Sequence, residues 1–297
     1  MKVFKFGGAS VKDADGIRNL HSIISNHQDD ELFVVVSAIG KTTNKLEAAV
    51  QAYAADEDWT PLLEAVFDEH EQLLSSLISE KCDAHTALEK IRTYAFAFLE
   101  ADTDGNYDLL YDQIVSLGEI LSTKIISAFL KDQGMKNDWL DARKLIHTDN
   151  NYRAASINWD LTQQRVVSAW EWKKSDIVVS QGVIGGGDHN RMTTLGREGS
   201  DFSAAIFAYC LDAKAVIIWK DVDGVLNADP KYFNNAELLP NISYREAVEL
   251  SYYGASVIHP KTIKPLENKE IPLWIKSFIH PESDGTLINT NTSEDSK

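Results

Sequence analysis

Hydrophobic positions change their period twice within the first forty residues. Val3 to Phe6 and Leu32 to Ala38 are short apolar runs, and between them Ile17, Leu20 and Ile24 recur at helical spacing. This predicts a β-α-β start. The second run, "LFVVVSA", is apolar almost throughout, as a parallel strand buried on both faces would be. From Asn44 to about Gly134 only helical patterns occur, with Asp83 and Asn106 as expected N-caps and Gly134 just past a helix end. Alternation then returns. A strand near Trp139, a helix from Thr162 to Trp172 and a strand at 176–182 are predicted. The glycine-rich "GVIGGGDHNRMTTLG" that follows is too polar for a core and suits a hairpin or loop. A helix from Ser200 to Leu211, a strand at 215–221 and a helix opening at Ser243 come next. Ser243-x-x-Glu246 has capping-box spacing. The last predicted strand is 272–278, and 289–297 is expected to be a disordered polar tail. The whole reads as α/β with a helical insertion after the second strand.

Composition narrows the ligands more than the fold. The chain has 297 residues, 44% hydrophobic and 25% charged, which is ordinary for a globular protein. Charge is not ordinary: 29 Lys and Arg face 45 Asp and Glu, a formal net charge of −16. Such a surface repels nucleic acid and anionic lipid, so neither is an expected partner. An anionic ligand has to be caught by a local cluster of cations and backbone N–H groups. Cys82 and Cys210 lack metal-ligand spacing and read as reduced thiols. No signal-type segment opens the chain, and no apolar run approaches the ~20 residues of a membrane span. A cytoplasmic location is expected.

The candidate chemistry falls where predicted strands end. "KFGGAS" sets Lys5 beside Gly7, Gly8 and Ser10, a pairing that suits a phosphate and also an ordinary strand-to-helix turn. "SAIGKTTNK", beginning at Ser37 and including Thr43, contains Gly40-Lys41-Thr42 but has Val35 where a P-loop needs its first glycine. What remains is a hydroxyl-rich helix start, able to hold a carboxylate or phosphate or simply to cap. "SLGEILS" places Glu119 next to Gly118 in a helix. A glycine there costs up to ~1 kcal/mol, which implies close approach by a neighbour, and Glu119 is either an ammonium partner or part of a solvated face. In "TTLGREGSD", Arg197 offers a carboxylate fork and Ser200-Asp201 opens a helix; Asp201 also suits the helix dipole alone. "WKDVDGVLNADPK" is a nucleotide loop or an exposed turn, and His259 reads as structural.

Taken together and in order, these motifs resemble the amino acid kinase family, and within it the catalytic domain of aspartokinases. The resemblance runs through "VFKFGGASV", "VVVSAIGKTTN", "SLGEILS", "TTLGREGSD", "WKDVDGVLNADPK", "YYGASVIHPKTI" and "SFIHPESDGTLI", covering roughly residues 2 to 288. It implies a three-layer αβα sandwich on a mainly parallel eight-stranded sheet. An amino-acid-binding lobe would occupy 1–195 and a nucleotide-binding lobe 196–288. It implies phosphorylation of the β-carboxylate of L-aspartate by MgATP, the first step toward lysine, threonine and methionine, with a homo-oligomer as an open assembly. By the same resemblance Lys5 bridges phosphates lined by Gly7, Gly8 and Ser10, and Asp201 organises Lys5. Ser37, Thr43, Glu119, Arg197 and Ser200 bind aspartate, while Lys220, Asp221, Leu226 and Lys231 bind ATP. Departures are Ala9 for the usual Thr or Ser, Leu226 for a frequent aromatic, Lys220 for a frequent threonine and Ser256 for a frequent lysine. In aspartokinases the last motif leads into regulatory ACT domains; the residues after it here are too few and polar to form them. Other readings are a kinase of glutamate or acetylglutamate, or a silent amino-acid or nucleotide binder.

Overall fold

The computed structural model describes residues 1–27, 29–101, 105–196, 199–228, 233, 235–252 and 257–290. Strand β1 (Lys2–Phe6) lies parallel to β2 (Leu32–Val36), with Lys5 opposite Val35. Every residue of β2 is buried, which is why it reads as a continuous apolar run. Helix α1 (Ala14–Ser25) makes the crossover. Asp13 caps it by accepting from the Gly16 N–H at 2.8 Å, and Ile17, Leu20, Ile23 and Ile24 form its buried face.

The helical insertion consists of α2 (Thr42–Ala54), α3 (Thr60–Leu77), α4 (Asp83–Glu100) and α5 (Tyr107–Asp132). Asn106 caps α5 as expected, and Gly134 takes φ +80° after its end, a conformation that favours glycine. The expected cap of α4 is displaced by one residue: Cys82 occupies the cap position, Asp83 is the first helical residue, and His85 reaches back to the Cys82 N–H. Among the described helices α5 alone is long and apolar enough to cross a membrane by composition, and nearly all of it is buried inside the protein. It is the core helix.

Next come β3 (Asn137–Trp139), α6 (Ala142–Leu145), α7 (Trp159–Glu171) and β4 (Ile177–Gln181). The glycine-rich stretch forms a hairpin of β5 (Ile184–Gly186) and β6 (Met192–Thr194). The chain continues through α8 (Gly199–Cys210), β7 (Val216–Lys220), β8 (Asn241–Ser243), α9 (Tyr244–Tyr252), α10 (Pro260–Asn268), β9 (Leu273–Ser277) and β10 (Thr286–Asn289). Eight strands form one sheet in the order β3-β4-β2-β1-β7-β9-β10-β8, parallel except where β10 runs against β9. Ser243 and Glu246 make the expected capping box, and His259 caps α10 through its ring, a structural role as read.

Two strands escape the sequence pattern. β8 has three residues and β10 four, too short for a period to register. The strand at 273–277 is therefore not the last, and Asn289, expected in the polar tail, pairs with Ser243 in β10. Residues 291–297 lie outside the described residues. Helices cover both faces of the sheet: α5 packs on β3, β4 and β2, and α8 packs across β1, β2 and β7, with Phe207 stacked on Phe33 at 4.3 Å between ring centroids. This is the three-layer α/β architecture expected.

Candidate active site

Four central strands, β4, β2, β1 and β7, end at the same edge of the sheet, and connections leave β1's neighbourhood in both directions. That is where open parallel sheets form crevices. Lys5 lies one residue before the end of β1, between Val35 of β2 and Ile218 of β7. Lys220 is the last residue of β7. Asp201 lies in the first turn of α8, which starts above the same edge.

These three side chains meet. Lys5 Nζ is 2.6 Å from Asp201 Oδ1, and Lys220 Nζ is 3.2 Å from Asp201 Oδ2, with Lys5 and Asp201 both buried. Burial pushes the Asp201 carboxyl up, but the two ammonium groups more than offset it and hold it below the ordinary carboxylate range. One carboxylate thus fixes two cations at the mouth of a glycine turn. The turn is tight: a Cβ on Gly8 would sit 2.7 Å from the Ala38 carbonyl and 2.9 Å from that of Gly40, and one on Gly7 would sit 3.3 Å from Lys5 Nζ. Ser10 donates its hydroxyl to the Gly7 carbonyl at 2.6 Å, so its side chain is spent on the turn itself.

Beside this centre is a cavity of about 500 Å³ lined by Ser37, Thr43, Glu119 and Ser200 from the sequence reading, and by Arg153, Tyr111 and Thr194, which that reading did not single out. Ser37 donates to Ser200 at 2.9 Å, joining the β2 end to the α8 start. Glu119 is buried on α5, and its Oε2 has no hydrogen-bond partner among the described residues. Burial pushes its carboxyl up to about 8; the Ala38 N–H and the charge of Lys5 only partly counter this. The neighbour demanded by Gly118 is now visible. A Cβ there would lie 3.0 Å from Thr42 Cγ2, 3.2 Å from Ala38 Cβ and 3.3 Å from Leu46 Cδ1, so the glycine lets α5 approach the start of α2.

Arg153 reaches the cavity through a second buried carboxylate. Asp112 on α5 accepts from the Arg153 N–H at 2.9 Å, and from the N–H and hydroxyl of Thr194 at 2.9 and 2.7 Å. It ties the 153 loop and the β6 strand to the core helix. The Arg153 guanidinium lies over the Tyr111 ring, 4.5 Å from its centroid. In the sequence Arg153 is a lone loop cation with no motif around it. Among the expected nucleotide residues, Asp221 is exposed just beyond β7, and Leu226 is half-buried and bridged to Leu238. Arg197 and Lys231, as well as Ser256, lie outside the described residues.

The carboxyl edge of this parallel α/β sheet thus gathers a glycine turn, two lysines on one aspartate and a cavity of about 500 Å³. A model of the amino acid kinase family matches residues 1–277, and the chain belongs to that family. It is 34% identical over 304 aligned residues to the bifunctional aspartokinase/homoserine dehydrogenase of Buchnera aphidicola, covering 99% of this chain and 37% of that protein. It is 32% identical to the chloroplastic aspartokinase 1 of Arabidopsis thaliana, covering 96% of this chain and 51% of that one. This chain thus spans about a third to a half of the curated relatives it matches. The crystal structure of E. coli aspartokinase III in complex with aspartate and ADP superposes with a TM-score of 0.89 at 29% identity, over 99% of this chain and 65% of that one.

Proposed function

We propose that this chain transfers the γ-phosphoryl group of MgATP to the β-carboxylate of L-aspartate, giving 4-phospho-L-aspartate and ADP. The observation that carries this reading is Glu119, a buried carboxylate with an unpartnered oxygen in the wall of the cavity. An α-ammonium group supplies both the missing donors and the charge that favours ionised Glu119. An N-acylated amine brings one N–H and no charge, which disfavours acetylglutamate. In this reading Ser37, Thr43, Ser200, Arg153 and Arg197 hold the substrate carboxylates. Lys5, Gly7 and Gly8 cradle the transferring phosphates, Ser10 braces that turn, and Lys220, Asp221, Leu226 and Lys231 face the nucleotide.

A side-chain carboxylate of pKa ~3.9 is ionised at pH 7, so the reaction needs no general base. A β-carboxylate oxygen forms the new bond to the γ-phosphorus while the bond to the bridging oxygen of ADP breaks and that oxygen keeps the electron pair. The work is to bring two anions into line and to neutralise charge as it spreads over the transferring group. Lys5 and Lys220 are held for this by Asp201, and the start of α8 adds its N-terminal dipole. In this reading Mg²⁺ comes with the phosphates of the nucleotide, as this ion usually does.

The test is an ADP-release assay in hydroxylamine, which traps an acyl phosphate as its hydroxamate. ADP and aspartyl hydroxamate are expected in equal amounts with L-aspartate. ADP release independent of aspartate, or equally supported by glutamate or acetylglutamate, would overturn the reading.

A further inference from the structure

The glycine-rich hairpin has a second side that the kinase reading does not use. Between α6, α7 and the tip of the β5–β6 hairpin lies a separate cavity of about 730 Å³, lined by Arg143, Lys144, Arg165, Arg191, His147 and His189, with Asp141 and Asp188. It shares no lining residue with the cavity around Glu119. In a chain of net charge −16, four cations against two carboxylates in one cavity is a local reversal of sign.

Pairing sharpens the reversal. Asp141 is already occupied: Arg143 grips it through two hydrogen bonds, at 2.8 and 2.6 Å. Lys144, Arg165 and Arg191 have no ion-pair partner among the described residues, and Asp188 alone is left to balance them. Arg165 and Arg191 are half-buried rather than free in solvent. Cations that share a cavity, partly out of solvent and without an ion-pair partner, repel one another, and an anion in the cavity relieves that cost.

The glycines explain how the cations are brought together. A Cβ on Gly186 would lie 2.1 Å from the Arg143 carbonyl, and one on Gly187 would lie 2.1 Å from Asn150 Oδ1. Their bare backbones let the hairpin press onto α6 and its following loop. His189 and Asn190 turn the tip in the left-handed region, at φ 57° and 58°. The other strand is anchored to α5, where Gln113 exchanges hydrogen bonds with both backbone groups of Met192.

We infer that this cavity is a binding site for a small, multiply charged phosphate-type anion, gripped by the Arg165 and Arg191 guanidinium forks with Lys144, His147 and His189 at its rim. Arginine forks match phosphate oxygens, and the strongly negative chain around the cavity repels a nucleic-acid strand.

Pyrophosphate is the probe, titrated without Mg²⁺ at constant ionic strength. The ¹⁵N ring resonances of His147 and His189, assigned with His147→Gln and His189→Gln, report occupancy. Both are expected to shift saturably, and R165Q/R191Q is expected to weaken the apparent affinity at least tenfold. If that double variant fails to fold, Arg165→Gln and Arg191→Gln separately are each expected to weaken it at least threefold. No saturable shift in the unaltered protein, or unchanged affinity in the folded variants, overturns the inference. A shift reproduced by sodium chloride alone does so too.

Discussion

Lys5 and Asp201 are 196 positions apart, at the end of β1 and the start of α8, yet Nζ and Oδ1 approach to 2.6 Å within the protein interior. The contact makes Lys5, the cation proposed to meet the phosphates, also half of a buried ion pair. Removing one partner of such a pair leaves an uncompensated charge, which costs up to ~3–5 kcal/mol, less here because Lys220 remains beside Asp201.

Lys5→Met is therefore expected to lose stability as well as to lower turnover by ~10²–10³, the scale for a preorganised charge at a transferring group. The double variant K5M/D201N is expected to regain most of the stability and none of the activity. Denaturant midpoints and the coupled assay check the two halves. Turnover recovering with stability would mean that Lys5 acts only structurally.

Glu119 gives a pH-dependent prediction. With its carboxyl at about 8 in the empty site, it is mostly protonated at pH 7 and must ionise to hold an ammonium group. Apparent affinity for aspartate is expected to improve by up to ~tenfold per pH unit between pH 6 and 7.5 and to level off above about 8. The folded-state value is above the ordinary one, so the protonated form favours the native state. That contribution is fully present below about 4.5 and is lost as pH rises through about 8.

Glu119→Gln removes both effects. It is expected to raise the aspartate KM by ~10–100-fold, the range for one charge-assisted contact, with little change for MgATP. In the absence of substrate its Tm at pH 8.5 is expected to exceed that of the unaltered protein. A lower Tm at that pH would mean that ionised Glu119 does not cost the empty protein stability, and equal effects on both substrates would exclude the ammonium-binding role.

Gly182 follows β4 and faces the start of α8 so closely that a Cβ would lie 2.3 Å from Ser200 Cβ. Gly182→Ala must push Ser200 and Asp201 away from Ser37 and Lys5. A loss of ~1–3 kcal/mol in stability is expected. A fall of tenfold or more in kcat is expected with it, since misplacement alone can be that costly. Thermal melts and steady-state kinetics measure both, and normal kcat would show that α8 tolerates the shift.

Arg153 reaches the cavity from a half-exposed position, so its effect should be smaller. Arg153→Gln is expected to raise the aspartate KM by ~2–5-fold, as for a solvent-screened charge pair, and to leave the MgATP KM unchanged. A selective effect on MgATP would move Arg153 out of the amino-acid pocket.

The amino-acid sequence by itself determined which segments are buried and on which side. β2 is apolar at every position because it lies between two strands under helices, and that can be read without knowing its neighbours. The same holds for the buried face of α1, the Asn106 cap and the glycine turn after Lys5, each set by residues within a few positions of one another. Partners across the chain were decided by strand order. Lys220 reaches Asp201 only because β7 inserts beside β1, and Arg153 enters the cavity only because Asp112 on α5 holds its loop. Gly118 signalled that something came close, and tertiary packing supplied Thr42, Ala38 and Leu46. β8 and β10 have too few residues to carry a period and exist as strands because β10 pairs with both β9 and β8. Periodicity reports the solvent-averaged environment of a face, whereas an ion pair between distant residues depends on which elements the sheet sets side by side.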